Sequence, residues 1–527
     1  MNLYQKSKLL FNIAKYEITK NRYDIDYLPP GIDSTKFITA RQAVSRIKDS
    51  STVISAGMAS HSRCAVFFWA VRDVFKETGS PSNLSWITVS AQGGRGKRAG
   101  TIEEIAVPGL LKQYISGHVE TATAILKLGT EKKVEIHTLP QGEITELLVA
   151  QAEGKNTVES QTGIGTFFDP DLGGSTAVTP NTDKSYVVKK DGKMVYTIPK
   201  IEVALFMAPY ADVEGNIYFK NASSISESYE AVMAANKNGG KAFVTVCDII
   251  EKNEADISIP GEYITGVVVN PWNEQAGGVR QRQYWPFFTA GADVNPEVAL
   301  QIVDIINKFG RLSPKRTPVE NSIAREVASI VSKETKKSAL INLGIGLPEE
   351  VGKIMYHAGI HNNYIFSSEA GAYGGIPTPG LYFGGAINPI RLESSAWMFN
   401  HYKEHLDTTV LGLLQADSEG NVNVSRRGSN VADYIGPGGF MNIVNSAKTI
   451  IFTGSFMAKA EFALKKGQLT IKKKGIPKFV DQLNEITFNA KEALKQGKKV
   501  YYVTSVGVFK LIEKGIELVE VMPGIDI

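Results

Sequence analysis

Ala211-Asp212-Val213-Glu214-Gly215-Asn216-Ile217 returns in the second half of the chain as Ala416-Asp417-Ser418-Glu419-Gly420-Asn421-Val422. Each copy follows an apolar segment that reads as a buried strand, and each reads as strand, acidic-glycine turn, strand. A looser correspondence joins Val53-Ile54-Ser55-Ala56-Gly57 to Leu340-Ile341-Asn342-Leu343-Gly344, apolar strands running into glycine loops. A third pair follows, Val89-Ser90-Ala91-Gln92-Gly93-Gly94 beside Ser367-Ser368-Glu369-Ala370-Gly371, and there only the second half supplies a carboxylate. Strands alternate with helical patterns through both halves, which predicts an α/β fold: two tandem, diverged domains with mainly parallel sheets covered on both faces. The boundary falls in Gly310-Arg311-Leu312-Ser313-Pro314-Lys315-Arg316-Thr317-Pro318, where proline breaks both helix and ladder. Beyond it, Ile323, Val327, Ile330 and Val331 mark one face of a helix over 319–334.

Composition sets wide limits. A chain of 527 residues is too long for one core. Its 58 basic and 54 acidic side chains give +4, too mild to imply a nucleic-acid or membrane partner. Cys64 and Cys247 are the only cysteines, which excludes a disulfide framework and a cysteine zinc site and fits a reducing compartment, the cytoplasm. No apolar run reaches membrane-span length; Ala65 to Val71 is a core stretch. Near the N-terminus, Lys6 and Lys8 precede Leu9-Leu10-Phe11, but Asn12 cuts the run and no small-residue cleavage site follows, so a helical extension is expected.

Within this frame Glu369 is the candidate reactive group. It follows the predicted strand Tyr364-Ile365-Phe366 and precedes Gly371, Gly374 and Gly375, then Pro377, Pro379 and Gly380. Glycines let a large ligand approach the backbone and free N–H groups to face developing negative charge. Loops after strands gather at the carboxyl edge of an open sheet, which places Glu369 with the loops at Gly57 and Gly344. The string Ser367-Ser368-Glu369-Ala370-Gly371-Ala372-Tyr373-Gly374-Gly375-Ile376-Pro377 resembles the active-site segment of family I CoA-transferases, especially the single-chain acetate/propionate branch. So do Gly109-Leu110-Leu111-Lys112 with Gly117-His118, Leu139-Pro140-Gln141-Gly142 and Gly165-Thr166-Phe167-Phe168-Asp169-Pro170. In the second half Asn342-Leu343-Gly344-Ile345-Gly346-Leu347-Pro348, Gly436-Pro437-Gly438-Gly439-Phe440 and Pro523-Gly524-Ile525-Asp526 continue the likeness. It starts at about Phe37, giving an extension over 1–36, a first domain over 37–310 and a second, carrying the glutamate, over 319–527.

The resemblance implies that Glu369 carries CoA as a covalent thioester. No permanently bound cofactor is implied; CoA is substrate and covalent intermediate, the partners are acyl-CoA and small carboxylic acids, and a homo-oligomer is the family expectation. A glutamate of ordinary pKa is already ionised at neutral pH, so no general base is required. Candidate backbone donors for the oxyanion are Met58 and Ala59 in the first half and Gly438 and Gly439 in the second. Gly344, Gly346, Gly374 and Gly375 are candidates for flanking CoA. Tyr373 stands where related motifs often have Ile; it either narrows the acyl pocket or packs between loops. A non-catalytic metabolite-binding relative and an acyl-CoA hydrolase are the alternative readings.

Other motifs carry less. Gly93 to Gly100 is not a P-loop, because Ala91 and Arg98 stand where Gly and Ser/Thr are required. His357 with His361, and His401 with His405, have the four-residue spacing of helical metal ligands, but the glutamate of a zinc-protease motif is missing, and no metal is expected. The lysines at 465, 466 and 472–474 read as a solvated face or as help with the CoA phosphates.

Overall fold

The computed structural model describes residues 1–58, 61–94, 99–272, 285–309 and 315–527. The first half builds an eight-stranded sheet from β1 (Thr52–Ser55), β2 (Leu84–Thr88), β3 (Leu111–Ser116), β4 (Glu135–Thr138), β5 (Val203–Ala211), β6 (Lys241–Ile249) and β7 (Gly266–Val269), with Ile217–Tyr218 attached to β5. The order is β7-β6-β5-β1-β2-β3-β4, and every neighbour on this path is parallel. The second half builds nine strands: β8 (Leu340–Leu343), β9 (Ile365–Ser367), β10 (Ala372–Tyr373), β11 (Arg391–Leu392), β12 (Leu406–Gly412), β13 (Thr449–Gly454), β14 (Lys499–Thr504), β15 (Gly507–Ile512) and β16 (Gly515–Val521). Their order is β11-β10-β9-β8-β12-β13-β14-β15-β16, parallel in the centre and antiparallel at both edges.

Both halves start at a central strand, grow to one side, and return to the other. The order therefore reverses between β1 and β5 and between β8 and β12, the crevice where α/β sheets take ligands. Helices cover both faces, so β1, β2 and β8 are buried along their whole length and read as near-continuous apolar runs.

The repeated heptapeptide folds the same way twice. Asp212 accepts from the N–H of Asn216 at 3.0 Å and its side-chain amide at 2.8 Å; Asp417 accepts from the N–H and amide of Asn421, both at 2.9 Å. Gly215 and Gly420 take φ of +84° and +91°, the left-handed region that favours glycine. The side-chain oxygen of each Asn then accepts a backbone N–H from a later segment, Gly261 or Ala490.

A single apolar cluster runs through both halves, from Ile54, Leu147 and Phe206 to Leu340, Phe399 and Phe452. Helix Gln141–Ala152 of the first half meets helix Ser395–His405 of the second across it. The expected N-terminal helix spans Leu3–Thr19, and its Leu9 joins Trp285, Phe287, Phe288, helix Pro296–Phe309 and Ile376, Tyr382 and Ile387 in a separate core. Residues 285–309 thus share a core with the second half. Of the boundary segment, 310–314 lie outside the described residues. The helix beyond it runs Pro318–Glu334, with Thr317 and Glu320 forming a capping box and Ile323, Val327, Ile330 and Val331 buried.

Candidate active site

Strands β9 and β10 are an antiparallel hairpin, and Glu369 is the second residue of its turn. The N–H of Gly371 donates to the Ser368 carbonyl and the N–H of Ser368 to the Ala372 carbonyl, both at 3.0 Å. Gly371 has φ +111°, and a Cβ there would lie 2.1 Å from the Glu393 carbonyl oxygen, so the turn requires glycine. The Ser368 hydroxyl donates to the Gly384 carbonyl at 2.6 Å and ties the turn to the following loop.

Beneath the turn lies a buried polar chain. The Asn342 side chain, at the end of β8, donates to Glu369 Oε2 at 3.2 Å and to the Tyr402 hydroxyl at 3.3 Å, while its own carbonyl accepts from Thr409 at 3.2 Å. Tyr402 donates to Ser367 at 3.0 Å. Burial pushes the Glu369 carboxyl above the usual carboxylate range; its own backbone N–H and the Asn342 amide pull it back. The ordinary pKa expected from sequence is corrected in that direction, because the hairpin turn is docked against the other half. Burial, and then the charge of Glu369, raise the Tyr402 phenol.

What docks there is the loop after β1. Gly57 has φ +130°, and a Cβ on it would strike the Ser62 carbonyl oxygen at 1.9 Å. Met58 bridges back to Ser62, and its N–H donates to the Ser62 hydroxyl at 3.3 Å. The Met58 thioether packs on Gly384, where an added Cβ would be 2.8 Å from it and 3.1 Å from the Ala370 Cβ. His61 reaches the Tyr382 carbonyl at 3.0 Å, and Ser224 donates to the Ala370 carbonyl at 2.9 Å. Met58 is therefore a neighbour of the Glu369 turn. Ala59 lies outside the described residues.

The other candidates are distributed more widely. Gly438 donates its N–H to the Gly117 carbonyl at 2.7 Å, and its carbonyl accepts from Gln141, which docks the second half on the first. An oxyanion would first have to displace Gly117. Gly439 precedes helix Phe440–Ser446, and a Cβ on it would meet the Phe399 ring at 3.0 Å. Gly344 is bonded to the Val410 carbonyl, and an added Cβ would be 2.8 Å from Leu411. Gly346 has φ +97° and open space where a Cβ would project; its carbonyl accepts from Arg316. Gly374 lines a cavity of about 10 Å³ behind the turn, with Ser367, Ser368, Ala372, Gly384 and Glu349, room for about one water. Gly375 is pinned between the Ile387 and Asn388 carbonyls. Tyr373 points away from that cavity, since Ala372 and Gly374 take the opposite face; its ring lies under the Arg391 guanidinium at 4.3 Å and beside Trp397 and His401.

Residues 95–98 of the basic loop lie outside the described residues. His357 faces Glu297, and His401 stacks on Trp397. Among the described residues no group of three His, Cys, Asp or Glu is placed to hold a metal, and no helix is long and apolar enough to cross a membrane. Asn342, Tyr402 and Thr409 had no assigned role in the sequence; an Asn inside an otherwise apolar buried strand was the available signal.

A glutamate thus sits on the hairpin turn after β9, held by the central strand β8 of one α/β unit and faced by the glycine loop of a second copy. The family follows from comparison. The Coenzyme A transferase family profile matches residues 37–270. The chain is 34% identical over 502 residues to caffeate CoA-transferase of Acetobacterium woodii, covering 93% of this chain and 92% of that one. It is 30% identical over 512 residues to acetate CoA-transferase YdiF of Escherichia coli O157:H7, covering 95% and 92%. The crystal structure of YdiF apoenzyme superposes with a TM-score of 0.80 at 28% identity, covering 95% of this chain and 92% of that one; a second YdiF structure is a thioester complex with CoA. The chain belongs to the CoA-transferase family: it moves CoA between an acyl-CoA and a carboxylic acid.

Proposed function

We propose that the protein transfers CoA between short-chain acyl-CoA and a small carboxylic acid such as acetate, by ping-pong exchange through a glutamyl-CoA thioester on Glu369. The observation that carries this reading is the placement of a desolvated carboxylate on a glycine-closed turn, with one oxygen held by Asn342. The thioester complex of the related YdiF supports it. Ionised Glu369 attacks the acyl-CoA carbonyl, giving an acyl-glutamyl anhydride and CoA thiolate; the thiolate then attacks the glutamyl carbonyl, giving glutamyl-CoA and releasing the first acid. The acceptor acid reverses both steps. Each addition creates an oxyanion, and removing one fixed donor of this kind costs about 3 kcal/mol. Met58, on leaving the Ser62 hydroxyl, and Ala59 are the proposed donors from the first half, and Gly438, on leaving the Gly117 carbonyl, and Gly439 those from the second. Gly344, Gly346, Gly374 and Gly375 are proposed to flank CoA.

The likeness to acetate CoA-transferase YdiF supports a small acyl group. A bulkier aromatic acid is the second reading, favoured by the likeness to caffeate CoA-transferase. Acetyl-CoA as donor with propionate, butyrate and caffeate as competing acceptors separates the two by kcat/KM. Parallel initial-rate lines and a borohydride-reducible CoA adduct on the peptide containing Glu369 are expected. Intersecting lines with no adduct would mean direct transfer in a ternary complex, and free thiol without acyl product would mean hydrolysis.

A further inference from the structure

The segment after the first copy of the repeat, Ser223 to Glu227, lies between the Gly57 loop and the Glu369 turn, and the reaction as derived does not use it. Glu227 is fully buried and, among the described residues, makes no ion pair. Its Oε1 accepts the Gly57 N–H at 3.0 Å and its Oε2 accepts the Ser395 hydroxyl at 3.1 Å. One acid thus binds the residue before Met58 to the helix that carries Tyr402. Beside it runs a row of three hydroxyls. Ser62 and Ser226 are 3.0 Å apart, Ser226 and Ser224 3.1 Å apart. The ends fix the proton order: Ser62 accepts the Met58 N–H and Ser224 donates to the Ala370 carbonyl, so Ser62 donates to Ser226 and Ser226 to Ser224. The row runs from the Met58 amide to the residue next to Glu369. Backbone locks it in place, since the Ser395 N–H donates to the Ser226 carbonyl at 3.0 Å.

We propose that Ser226 and Glu227 are positioning residues for CoA transfer, holding the Gly57–Met58 backbone of the first half in register with the Glu369 turn of the second. This rests on the reading of Glu369 as nucleophile and Met58 as donor. A buried acid without a cation pays a large desolvation penalty, which hydrogen bonds from the Gly57 N–H, its own N–H and the Ser395 hydroxyl only partly offset; fixing two halves of one site is a function that explains its presence.

The test uses the full chain with acetyl-CoA as donor and propionate as acceptor. Ser226→Ala and Glu227→Ala should each lower kcat by about 10 to 100-fold, the loss expected of a reacting geometry displaced by about 1 Å, with KM for acetyl-CoA unchanged. Glu227→Gln should restore kcat, because its amide accepts the Gly57 N–H and donates to Ser395. Wild-type kcat in both alanine variants would overturn the proposal, as would a loss confined to KM or a Glu227→Gln as slow as Glu227→Ala at wild-type Tm. If Glu227→Ala does not fold, Ser226→Ala, which removes one oxygen, decides. Failure of the underlying reading shows separately, as a wild-type enzyme that forms no adduct on Glu369.

Discussion

In the first half, the loop after β2 turns Gln92 inward against β1: its amide donates to the Ser55 carbonyl at 2.6 Å and the Gly57 carbonyl at 3.1 Å, and its oxygen accepts from the Ser55 hydroxyl at 2.6 Å. In the second half, the turn after β9 turns Glu369 toward β8, where Asn342 holds one carboxylate oxygen. The two side chains reach from matching loops to matching central strands. A glutamine both donates and accepts, so it can close a loop by satisfying backbone carbonyls; a carboxylate only accepts and leaves those carbonyls to others. In the second half Ser368 and the hairpin ladder do that work, and the acid is left for chemistry. Duplication thus gave one frame with two uses, a rigid wall and a reactive turn.

Converting the reactive turn into the wall type should have the largest effect. Glu369→Gln keeps the shape and the contact to Asn342 but cannot become a CoA thioester by acyl exchange. Turnover should fall by about 10⁴-fold or more, the scale seen when a covalent nucleophile is removed, and the CoA adduct should vanish. Thermal unfolding should stay close to wild type, since a loop side chain at a site adds little to the core. Retained turnover would assign the chemistry elsewhere.

The reverse exchange, Gln92→Glu, should not create a second reactive acid. It would set an anion against the carbonyls of Ser55 and Gly57 and leave both without a donor, a loss of about 2 to 4 kcal/mol read by chemical denaturation. Because Gly57 leads into Met58, turnover should fall as well. A stable variant with a second CoA adduct, on the peptide containing residue 92, would show the halves to be chemically equivalent.

Much of this contrast was legible in the chain. The heptapeptide repeat gave two copies of one unit because its Asp, Gly and Asn each have a local task in the same turn. Glu369 stood out because the glycines that shape its turn are its sequence neighbours. Asn342 and Tyr402 did not, because their meaning comes from strand register and a helix far along the chain. The tie between Gly438 and Gly117 was hidden for the same reason. The association of residues 285–309 with the second half depends on an aromatic core assembled from three distant segments.

Asn342 offers a finer probe, and its sign can be worked out. Burial raises the Glu369 pKa and the Asn342 amide lowers it. Only the ionised acid attacks, so kcat/KM should fall as pH drops through that raised pKa, above the usual glutamate range of about 4.3. Asn342→Ala removes a lowering contribution, raises the pKa further and moves the acid limb to higher pH. At neutral pH the loss should be about 10 to 150-fold, since a hydrogen bond to a charged group contributes roughly 1.5 to 3 kcal/mol. A pH profile of kcat/KM for the two proteins checks it. An unmoved acid limb would mean that Asn342 merely packs beneath the turn.

The smallest effect is expected two residues beyond the hairpin turn, at Tyr373. Its strand alternates, with Ala372 and Gly374 toward the cavity behind the turn and Tyr373 on the opposite face, under Arg391 and against Trp397 and His401. Of the two roles open to it in the sequence, this geometry favours packing. Tyr373→Ile removes the ring from beneath a cation, a contact of about 0.5 to 1 kcal/mol at a partly exposed site, and Tm should fall slightly. The ratio of kcat/KM for acetate, butyrate and hexanoate should not change. A shift toward the longer acids of the size one methylene supplies, about 10 to 200-fold, would place the ring in the acyl path and make the edge strands β10 and β11 part of the specificity pocket.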